Sequence, residues 1–453
     1  MANSRSTYQI SITDCVQRKL LTQIQPDDHL VVALSGGVDS VVLLDLLSKL
    51  SKPMKLRLSA VHVEHGISPN ACQWSNFCQE LCDKLTVPLS IFRLQVRKQS
   101  QESLEAVARQ ARYQVFESIQ ADYIVLAQHQ DDQVETLLLQ LLRGAGAKGL
   151  SAMPAVRLLG PKASAKLLRP LLDIPRSTIL SYAKQHNLVW VTDESNADTS
   201  LNRNFLRHQI LPLLEQRFPA YRKTITRSSQ HLGEASHLLD ELAEIDARNV
   251  STANKIRLDS LRNLSFLRAK NLLRYLLTQQ MIKLPNTAKL AEILRQLLGA
   301  RSDTRLQFML GSLEVRCYRG LVEFLQVNST RQPIPPISWQ GEQCLIIEPL
   351  QSMLEFTHQI GKGINLEKLA QQTVTIRSRM GGERFQPDCK RPRRCLKKIL
   401  QESTLPPWER YTLPLLFCGE RLVWAARIGI DCDFQVKPGN IGLVVTCHQN
   451  HTL

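Results

Sequence analysis

Along the first half of the chain, apolar positions alternate between two rhythms. Residues 30–34 (Leu-Val-Val-Ala-Leu) form an uninterrupted apolar run, the mark of a strand buried on both faces, and 38–50 follow with helical periodicity. The succession recurs: strand-like 56–63 leads to helical 70–85, strand-like 89–94 to helical 102–120, and 123–127 to helical 131–143. Strands alternating with helices of this length predict an α/β fold, a Rossmann-like doubly wound parallel sheet. Ligands of such sheets lie beyond the carboxyl ends of the strands, so chemistry is expected in loops 35–40, 63–69 and 128–132.

The pattern then changes. From about 203 to 300 the chain reads as amphipathic helices, clearest at 231–247 and 288–298, and 305–326 reads as a closing β-hairpin. Gln332-Pro-Ile-Pro-Pro-Ile-Ser is a linker, because its prolines exclude a helix or a central strand. Short alternating strands and one helical piece fill 343–447. The organisation expected is an α/β domain over 1–218, a mainly helical domain over 219–330 and a small α+β domain over 340–453.

Composition adds one constraint. With 43% apolar and 22% charged residues, the 453-residue chain is ordinary globular material, which excludes disorder and a small disulfide scaffold. The charge is less ordinary: 57 Lys+Arg against 41 Asp+Glu give a formal +16, a field that favours a polyanion, most often a nucleic acid. The N-terminus carries no secretory pattern and no long apolar stretch is free of charge, so a cytoplasmic protein without membrane association is expected. Eleven scattered cysteines without a C-x-x-C read as reduced thiols, with Cys72, Cys78 and Cys82 packing along one helix.

The strongest chemical signal is Ser35-Gly36-Gly37-Val38-Asp39-Ser40, set between strand and helix. Two glycines let the backbone approach an anion, two hydroxyls donate to it, and the helix N-terminus points at the same spot. Asp39 would repel phosphate unless a metal lay between them, so the loop implies Mg²⁺ at Asp39. A tight turn with Asp39 as a cap is the plainer alternative, and a Gly-Gly pair alone would favour it. The loop is neither a Walker A motif nor a dinucleotide fingerprint. It resembles the PP-loop or N-type ATP pyrophosphatases, which implies ATP cleaved between the α and β phosphates to activate a carbonyl oxygen as an adenylate.

A second motif, His129-Gln130-Asp131-Asp132-Gln133-Val134-Glu135-Thr136, begins where the fourth strand ends. Asp132 and Glu135 share a helix face and are candidates to hold Mg²⁺ or to bind and deprotonate an amine, whereas Asp131 reads as a helix cap. On the third helix, an i,i+4 pair with Glu105 accounts for Arg109 but leaves Arg112 unexplained, and Arg112 is therefore the arginine expected at the α-phosphate. His65 fits a loop beside the nucleotide.

In order and spacing these pieces resemble the bacterial tRNA(Ile)-lysidine synthase family. Arg143-Gly144-Ala145-Gly146, Gly149 to Met153 and Arg169-Pro-Leu-Leu172 match segments that close its catalytic domain. Asp193 to Asn196, Arg203-Asn204-Phe-Leu-Arg207 and Leu211-Pro-Leu-Leu214 match a segment particular to it. Leu396-Lys397-Lys398-Ile399, Pro406-Pro-Trp408-Glu-Arg410 and Pro414 to Phe417 resemble its C-terminal tRNA-binding domain. The resemblance implies two steps on tRNA(Ile) with a CAU anticodon. The first anticodon cytidine is adenylated through O2, and free L-lysine then displaces AMP at C2, giving lysidine and switching reading from AUG to AUA. It implies Ser35, Gly36, Gly37, Val38, Asp39, Ser40 and His65 around ATP, and Asp39, Arg112, Asp132 and Glu135 in the chemistry. Arg109, His129, Arg203, Arg207, Lys397 and Lys398 would then face the substrates.

The substrate's size fits the charge, since nine Lys/Arg stand against two acids, Glu383 and Asp388, between Arg377 and Lys398. A phosphate-contacting loop is expected there, and for Trp408 and Tyr411 nearby packing within the small domain is preferred to stacking on unpaired bases. A tRNA thiolase of the same superfamily would typically need sulfur-carrying cysteines or a C-x-x-C, and an amidotransferase an attached glutaminase domain. A non-catalytic RNA-binding protein would explain the charge but not Asp39, Arg112, Asp132 and Glu135 together. A homodimer is compatible with the sequence, which does not fix the oligomeric state.

Overall fold

The computed structural model describes residues 11–66, 70–94, 104–160, 165–252, 255–280, 282, 284–301, 305–326, 333–350, 352–403 and 405–449. The chain divides into two compact units, 1–245 and 246–453.

The first unit opens with helix α1 (Ile12–Leu21), which Ser11 caps by accepting from the Asp14 N–H while Asp14 accepts from the Ser11 N–H. The alternation follows as β1 (His29–Ala33), α2 (Val38–Ser51), β2 (Arg57–Glu64), α3 (Ala71–Leu85), β3 (Leu89–Arg93), α4 (Leu104–Ser118), β4 (Tyr123–Val125) and α5 (Gln130–Leu142). A short α6 (Ala147–Leu150), the strands β5 (Val156–Leu158) and β6 (Lys166–Leu168), and α7 (Arg176–Gln185) complete the sheet layer. The strand order is β3-β2-β1-β4-β6-β5, parallel except for β5, which runs antiparallel to β6 at the edge. The chain winds outward from β1 through β3 and returns to β4 on the other side of β1, so the crevice lies between β1 and β4.

Burial explains why β1 reads as a continuous apolar run. Leu30 and Val32 enter one core with α1, α2 and α7, while Val31 enters the opposite core with Ile124 and with Val115 and Phe116 of α4. Helix α2 is enclosed by the same core, with Val41, Val42, Leu43, Leu44, Leu46 and Leu47 all buried, each contributing roughly 1.5–3 kcal/mol. One carboxylate lies within that helix. Asp45 accepts from the Tyr182 hydroxyl at 2.7 Å and from Lys49 Nζ at 2.8 Å, and Lys49 also donates to the Tyr182 oxygen at 3.0 Å. This triad bolts α7 to α2.

Helix α8 (Asn202–Phe205), a π-helical turn over Leu206–Ile210, α9 (Leu211–Arg217) and α10 (Tyr221–Val250) follow. Leu211, Tyr221, Leu214 and Ile225 from these helices pack with Val134 and Leu138 of α5 in a small separate core.

The second unit begins with β7 (Ser251–Thr252), and β8 (Lys255–Arg257), helices α11 (Leu258–Arg262), α12 (Phe266–Gln279) and α13 (Thr287–Gly299), and strands β9 (Leu306–Leu310), β10 (Leu313–Tyr318) and β11 (Leu321–Gln326) share one core. The strands form an antiparallel sheet ordered β7-β8-β11-β10-β9. The hairpin expected at 305–326 is thus a three-stranded meander. Gly311 (φ +63°) makes its first turn, and Arg319 with Gly320 (φ +49° and +74°) makes the second, a two-residue reversal requiring both residues in the left-handed region.

The remainder comprises β12 (Ile337–Trp339), β13 (Cys344–Ile347), β14 (Ser352–Ile360), β15 (Ile364–Asn365), α14 (Leu366–Leu369), β16 (Val374–Arg377), β17 (Arg384–Phe385), β18 (Arg394–Cys395), α15 (Leu396–Glu402), β19 (Leu415–Cys418), β20 (Arg421–Ala425), β21 (Gly429–Ile430) and β22 (Ile441–Gln449). Two antiparallel sheets, β12-β16-β19-β20-β21 and β13-β14-β22-β15, enclose a core that includes Leu354, Phe385, Leu400, Leu415 and Val423. The expectation of reduced thiols throughout is corrected here, because Cys389 and Cys432 form a disulfide across 43 residues of sequence, a separation no spacing rule reads. Among the described residues no helix is long and apolar enough to cross a membrane.

Replacing Tyr182 by Phe removes one donor to buried Asp45 and one acceptor from Lys49, and is expected to cost about 1–2 kcal/mol. Denaturant unfolding of Y182F against the wild-type chain measures it.

Candidate active site

Between β1 and α2 the loop is held by its own side chains. The Ser35 N–H donates to Ser40 Oγ at 3.2 Å, the two hydroxyls meet at 3.1 Å, and Ser40 Oγ donates to the Gly37 carbonyl at 2.9 Å. Gly36 takes φ +86°, and a Cβ there would lie 2.7 Å from Val191 Cγ2 and 3.4 Å from buried Cys78 Sγ. Only glycine fits this position. Gly37 ends the loop in extended conformation as the N-cap of α2, without a side-chain hydrogen bond, so the first N–H groups of that helix are open to a ligand.

Asp39, in the first turn of α2, faces His129 at the start of α5. His129 is nearly fully buried, with Nε2 3.6 Å from Asp39 Oδ2 and 3.5 Å from Asp132 Oδ2, and Nδ1 3.9 Å from Asp131 Oδ2. Burial pulls its pKa down, but Asp132, Asp39 and Asp131 outweigh burial and hold it above the ordinary imidazole value. Three carboxylates thus favour the protonated ring at a helix N-terminus, where the dipole alone would disfavour it.

The roles of the two aspartates differ from the sequence expectation. Asp132, not Asp131, caps α5, accepting from the His129 N–H at 3.0 Å. Asp131 turns away, accepting from the Arg176 N–H at 3.0 Å and from Arg222 Nε at 2.7 Å. Burial opposes its charge, but these donors hold its carboxyl below the ordinary value.

Glu135 has no exposed surface. Arg207 grips it through Nε at 2.7 Å and Nη2 at 3.0 Å and also reaches Asp132 Oδ1 at 3.3 Å, while Arg203 Nε lies 3.0 Å from Glu135 Oε2. Arg203 Nη2 donates to Thr136 Oγ1 at 2.9 Å. Burial disfavours the charge on Arg207, yet Glu135 and Asp132 raise its pKa, while burial raises that of Glu135 against the pull of Arg207. Asp132 and Glu135 do share a face, as their spacing predicts, but an amine reaching it meets Asp132 alone. The expectation of direct contact is corrected for Glu135, whose two oxygens are already taken by guanidiniums.

On the β2 side, Arg112 donates to His65 Nε2 through Nε at 3.1 Å and Nη2 at 2.7 Å. Burial, Arg112 and His62 push His65 down to about 4, so the ring is neutral. An acceptor at Nε2 places the proton on Nδ1, which is buried without a hydrogen-bond partner. Arg109 instead lies over the Tyr113 ring, 5.2 Å from its centroid; the Glu105 side chain expected to pair with it falls outside the described residues.

Two participants escape the sequence reading, Arg176 and Arg222. Arg176 opens α7, with Nε 3.9 Å from Asp39 Oδ1, and Arg222 bridges Asp131 to Glu215. The sequence signal for Arg176 is Pro175 before a helical pattern, which marks a helix start once Lys166–Leu168 is recognised as a strand. Among the described residues, ten buried side-chain polar atoms lack a hydrogen-bond partner, and five belong to Asp39, His65, His129, Arg176 and Arg203. Such clustering marks a polar site built for a ligand. Asp39 Oδ1 is among them, an acceptor of the kind a hard cation takes. No group of three His, Cys, Asp or Glu forms a metal cage among the described residues, so Asp39 with phosphate oxygens and water is the donor set that fits Mg²⁺.

In the second unit the basic segment is less positive than its sequence suggests. Acids outside the segment join in: Asp431 and Asp433 hold Arg393, and Glu402 holds Arg394. Arg391 pairs with Asp388, Arg377 lies over Phe417 and Arg379 over Tyr411. Trp408 packs against Tyr318 of β10, outside the small domain in which packing is expected, and Tyr411 is exposed. Arg384, Lys390, Lys397 and Lys398 are exposed, and none has an acidic partner among the described residues.

Comparison with known proteins covers most of the chain. The PP-loop domain family matches residues 9–214, the TilS substrate binding domain 257–322 and the TilS substrate C-terminal domain 374–447. A protein of Nitrosomonas europaea named tRNA(Ile)-lysidine synthase is 64% identical over 99% of this chain and 98% of its own length. Proteins of that name from Coxiella burnetii and Azoarcus are 37% and 39% identical over 92% and 93% of this chain, and over 93% and 92% of their own lengths.

Because its folded pKa is raised, His129 contributes stability that is fully present below about pH 6.5 and is lost as pH rises through the folded value. Thermal unfolding of the wild-type chain and H129N between pH 5.5 and 9 tests this. The wild-type advantage is expected to be largest at the acid end and to shrink steadily above it.

Proposed function

The chain belongs to the tRNA(Ile)-lysidine synthase family, and on that footing we propose how its residues divide the reaction. It is an ATP-using enzyme that forms lysidine on tRNA(Ile). The finer reading concerns donor, atoms and residues. Cytidine at the first position of a CAU anticodon attacks the α-phosphorus of ATP through O2; the bond to the β-phosphate oxygen breaks and pyrophosphate leaves. Free L-lysine then forms a bond from its ε-nitrogen to C2, the C2–O2 bond breaks and AMP leaves.

Ser35, Gly36, Gly37, Val38 and Ser40 hold the phosphates through backbone N–H groups and hydroxyls, with His65 beside the nucleotide. Arg112, aimed by neutral His65, meets the α-phosphate, where negative charge builds during attack. Mg²⁺ held by Asp39 would neutralise the departing pyrophosphate. Asp132 receives the lysine ammonium and takes the proton it loses on attack. Glu135 works beneath, keeping Arg203 and Arg207 in place around Asp132. Lys397 and Lys398, with Arg384 and Lys390, meet tRNA phosphates and position rather than read the substrate. In this division residues 1–218 are catalytic, 219–330 contact tRNA, and 340–453 bind it. Dependence on ATP and tRNA supports a cytoplasmic location.

One observation carries the reading: His129 Nε2 lies within 3.6 Å of both Asp39 and Asp132. Phosphate loop and amine-receiving carboxylate therefore belong to one site, as a sequence of adenylation and amine attack requires. Incubating the purified chain with labelled L-lysine, ATP, Mg²⁺ and an unmodified CAU-anticodon tRNA(Ile) transcript tests it. One AMP and one pyrophosphate per lysine incorporated is the expected result, and incorporation of sulfur from cysteine in place of lysine would overturn it.

A further inference from the structure

Arg176 is held in place through its backbone. Its N–H donates to Asp131 Oδ2 at 3.0 Å, and the Gln130 N–H donates to the Ile174 carbonyl at 3.0 Å, so the segment entering α7 is fastened to the start of α5. Further along, Asp45, Tyr182 and Lys49 fasten α7 to α2, the helix that carries Asp39. These ties bring Arg176 Nε to 3.9 Å from Asp39 Oδ1, and both atoms are buried without a hydrogen-bond partner.

The contrast with the neighbouring arginines is informative. Arg207 and Arg222 bind carboxylates bidentately at 2.6–3.0 Å. Arg176 makes no such bond: its side chain is 41% exposed, and among the described residues its only ionic neighbour is Asp39. A guanidinium that projects from a fixed backbone position into the crevice, with only a 3.9 Å ionic contact, suits a multi-oxygen anion such as a phosphate, which its fork takes bidentately. Its place selects among the phosphates of ATP. Arg112 and His65 stand on the β2 side of β1, whereas Arg176 follows β6, beyond β4 on the other side of the crevice.

We propose that Arg176 binds the β- and γ-phosphates of ATP and holds them as the departing pyrophosphate. This rests on the ATP reading above and adds to it a second arginine, opposite the one assigned to the α-phosphate. As pyrophosphate accepts Arg176 donors, the ion pair with Asp39 is replaced by one with the ligand, and Asp39 Oδ1 is left for a cation.

The test uses inorganic pyrophosphate as probe, with binding to the full-length wild-type chain, R176Q and R176K measured by calorimetry in Mg²⁺ buffer. R176Q is expected to lose about tenfold or more in pyrophosphate affinity and to raise the KM for ATP similarly, with the KM for lysine unchanged. R176K, which keeps the charge but not the fork, is expected to fall between, and it carries the test if R176Q does not fold. Affinity equal to wild type in either folded variant, even with a lowered melting temperature, overturns the assignment and leaves Arg176 a structural tie. A wild-type chain that binds neither pyrophosphate nor ATP overturns the ATP reading as well.

Discussion

A carboxylate cannot be stripped of water without a partner, and the catalytic crevice is arranged around that constraint. Four acids, Asp39, Asp131, Asp132 and Glu135, meet near the carboxyl ends of β1 and β4. Each has a basic partner: Arg203 and Arg207 for Glu135, Arg222 for Asp131, His129 and Arg207 for Asp132, His129 and Arg176 for Asp39. The partners come from α5, α7, α8, the π-helical turn and α10, so this pairing dictates how distant segments close on the sheet. The small apolar core of Val134, Leu211 and Tyr221 lies along the same contact of α5 with α9 and α10. Removing one partner from a fully buried pair costs about 3–5 kcal/mol, and with Arg203, Arg207 and Arg222 partly exposed the cost here is smaller.

The pairing is graded, and the gradation suits catalysis. Glu135 and Asp131 are saturated by short, charge-assisted bonds and serve as anchors. Asp39 and Asp132 are held loosely, at 3.3–3.9 Å from their cations, and can exchange those partners for a ligand at little cost. The carboxylates with the weakest internal ties are those assigned to the pyrophosphate end and to the amine. The π-helical turn that carries Arg207 lies where such turns often occur, beside a functional side chain.

Much of this was legible in the sequence because periodicity and burial agree in the first 145 residues. The run Leu30 to Leu34 reads as a two-sided strand because alternate residues fill two different cores. The loop at Ser35–Ser40 is legible for a local reason: a glycine with φ +86° pressed against Val191 admits no other residue. What the sequence hides is long-range. Strands β5 and β6 are three residues each, too short for a pattern, and without β6 the start of α7 has no context and Arg176 no meaning. The division of labour between Asp132 and Glu135 depends on Arg203 and Arg207, some 70 residues away. The net charge of the basic segment depends likewise on Asp431, Asp433 and Glu402, which lie outside it.

The central claim is that one crevice holds two half-reactions, with Asp39 serving the first and Asp132 the second. Single-turnover pyrophosphate release by Asp132→Asn, with ATP and unmodified tRNA but no lysine, separates them most directly. Asparagine keeps an oxygen to cap His129 but cannot hold an ammonium or take its proton. Pyrophosphate released at close to the wild-type rate, with no lysidine formed when lysine is then added, is the result expected. Loss of pyrophosphate release together with lysidine formation, or lysidine formed at the wild-type rate, would contradict the division.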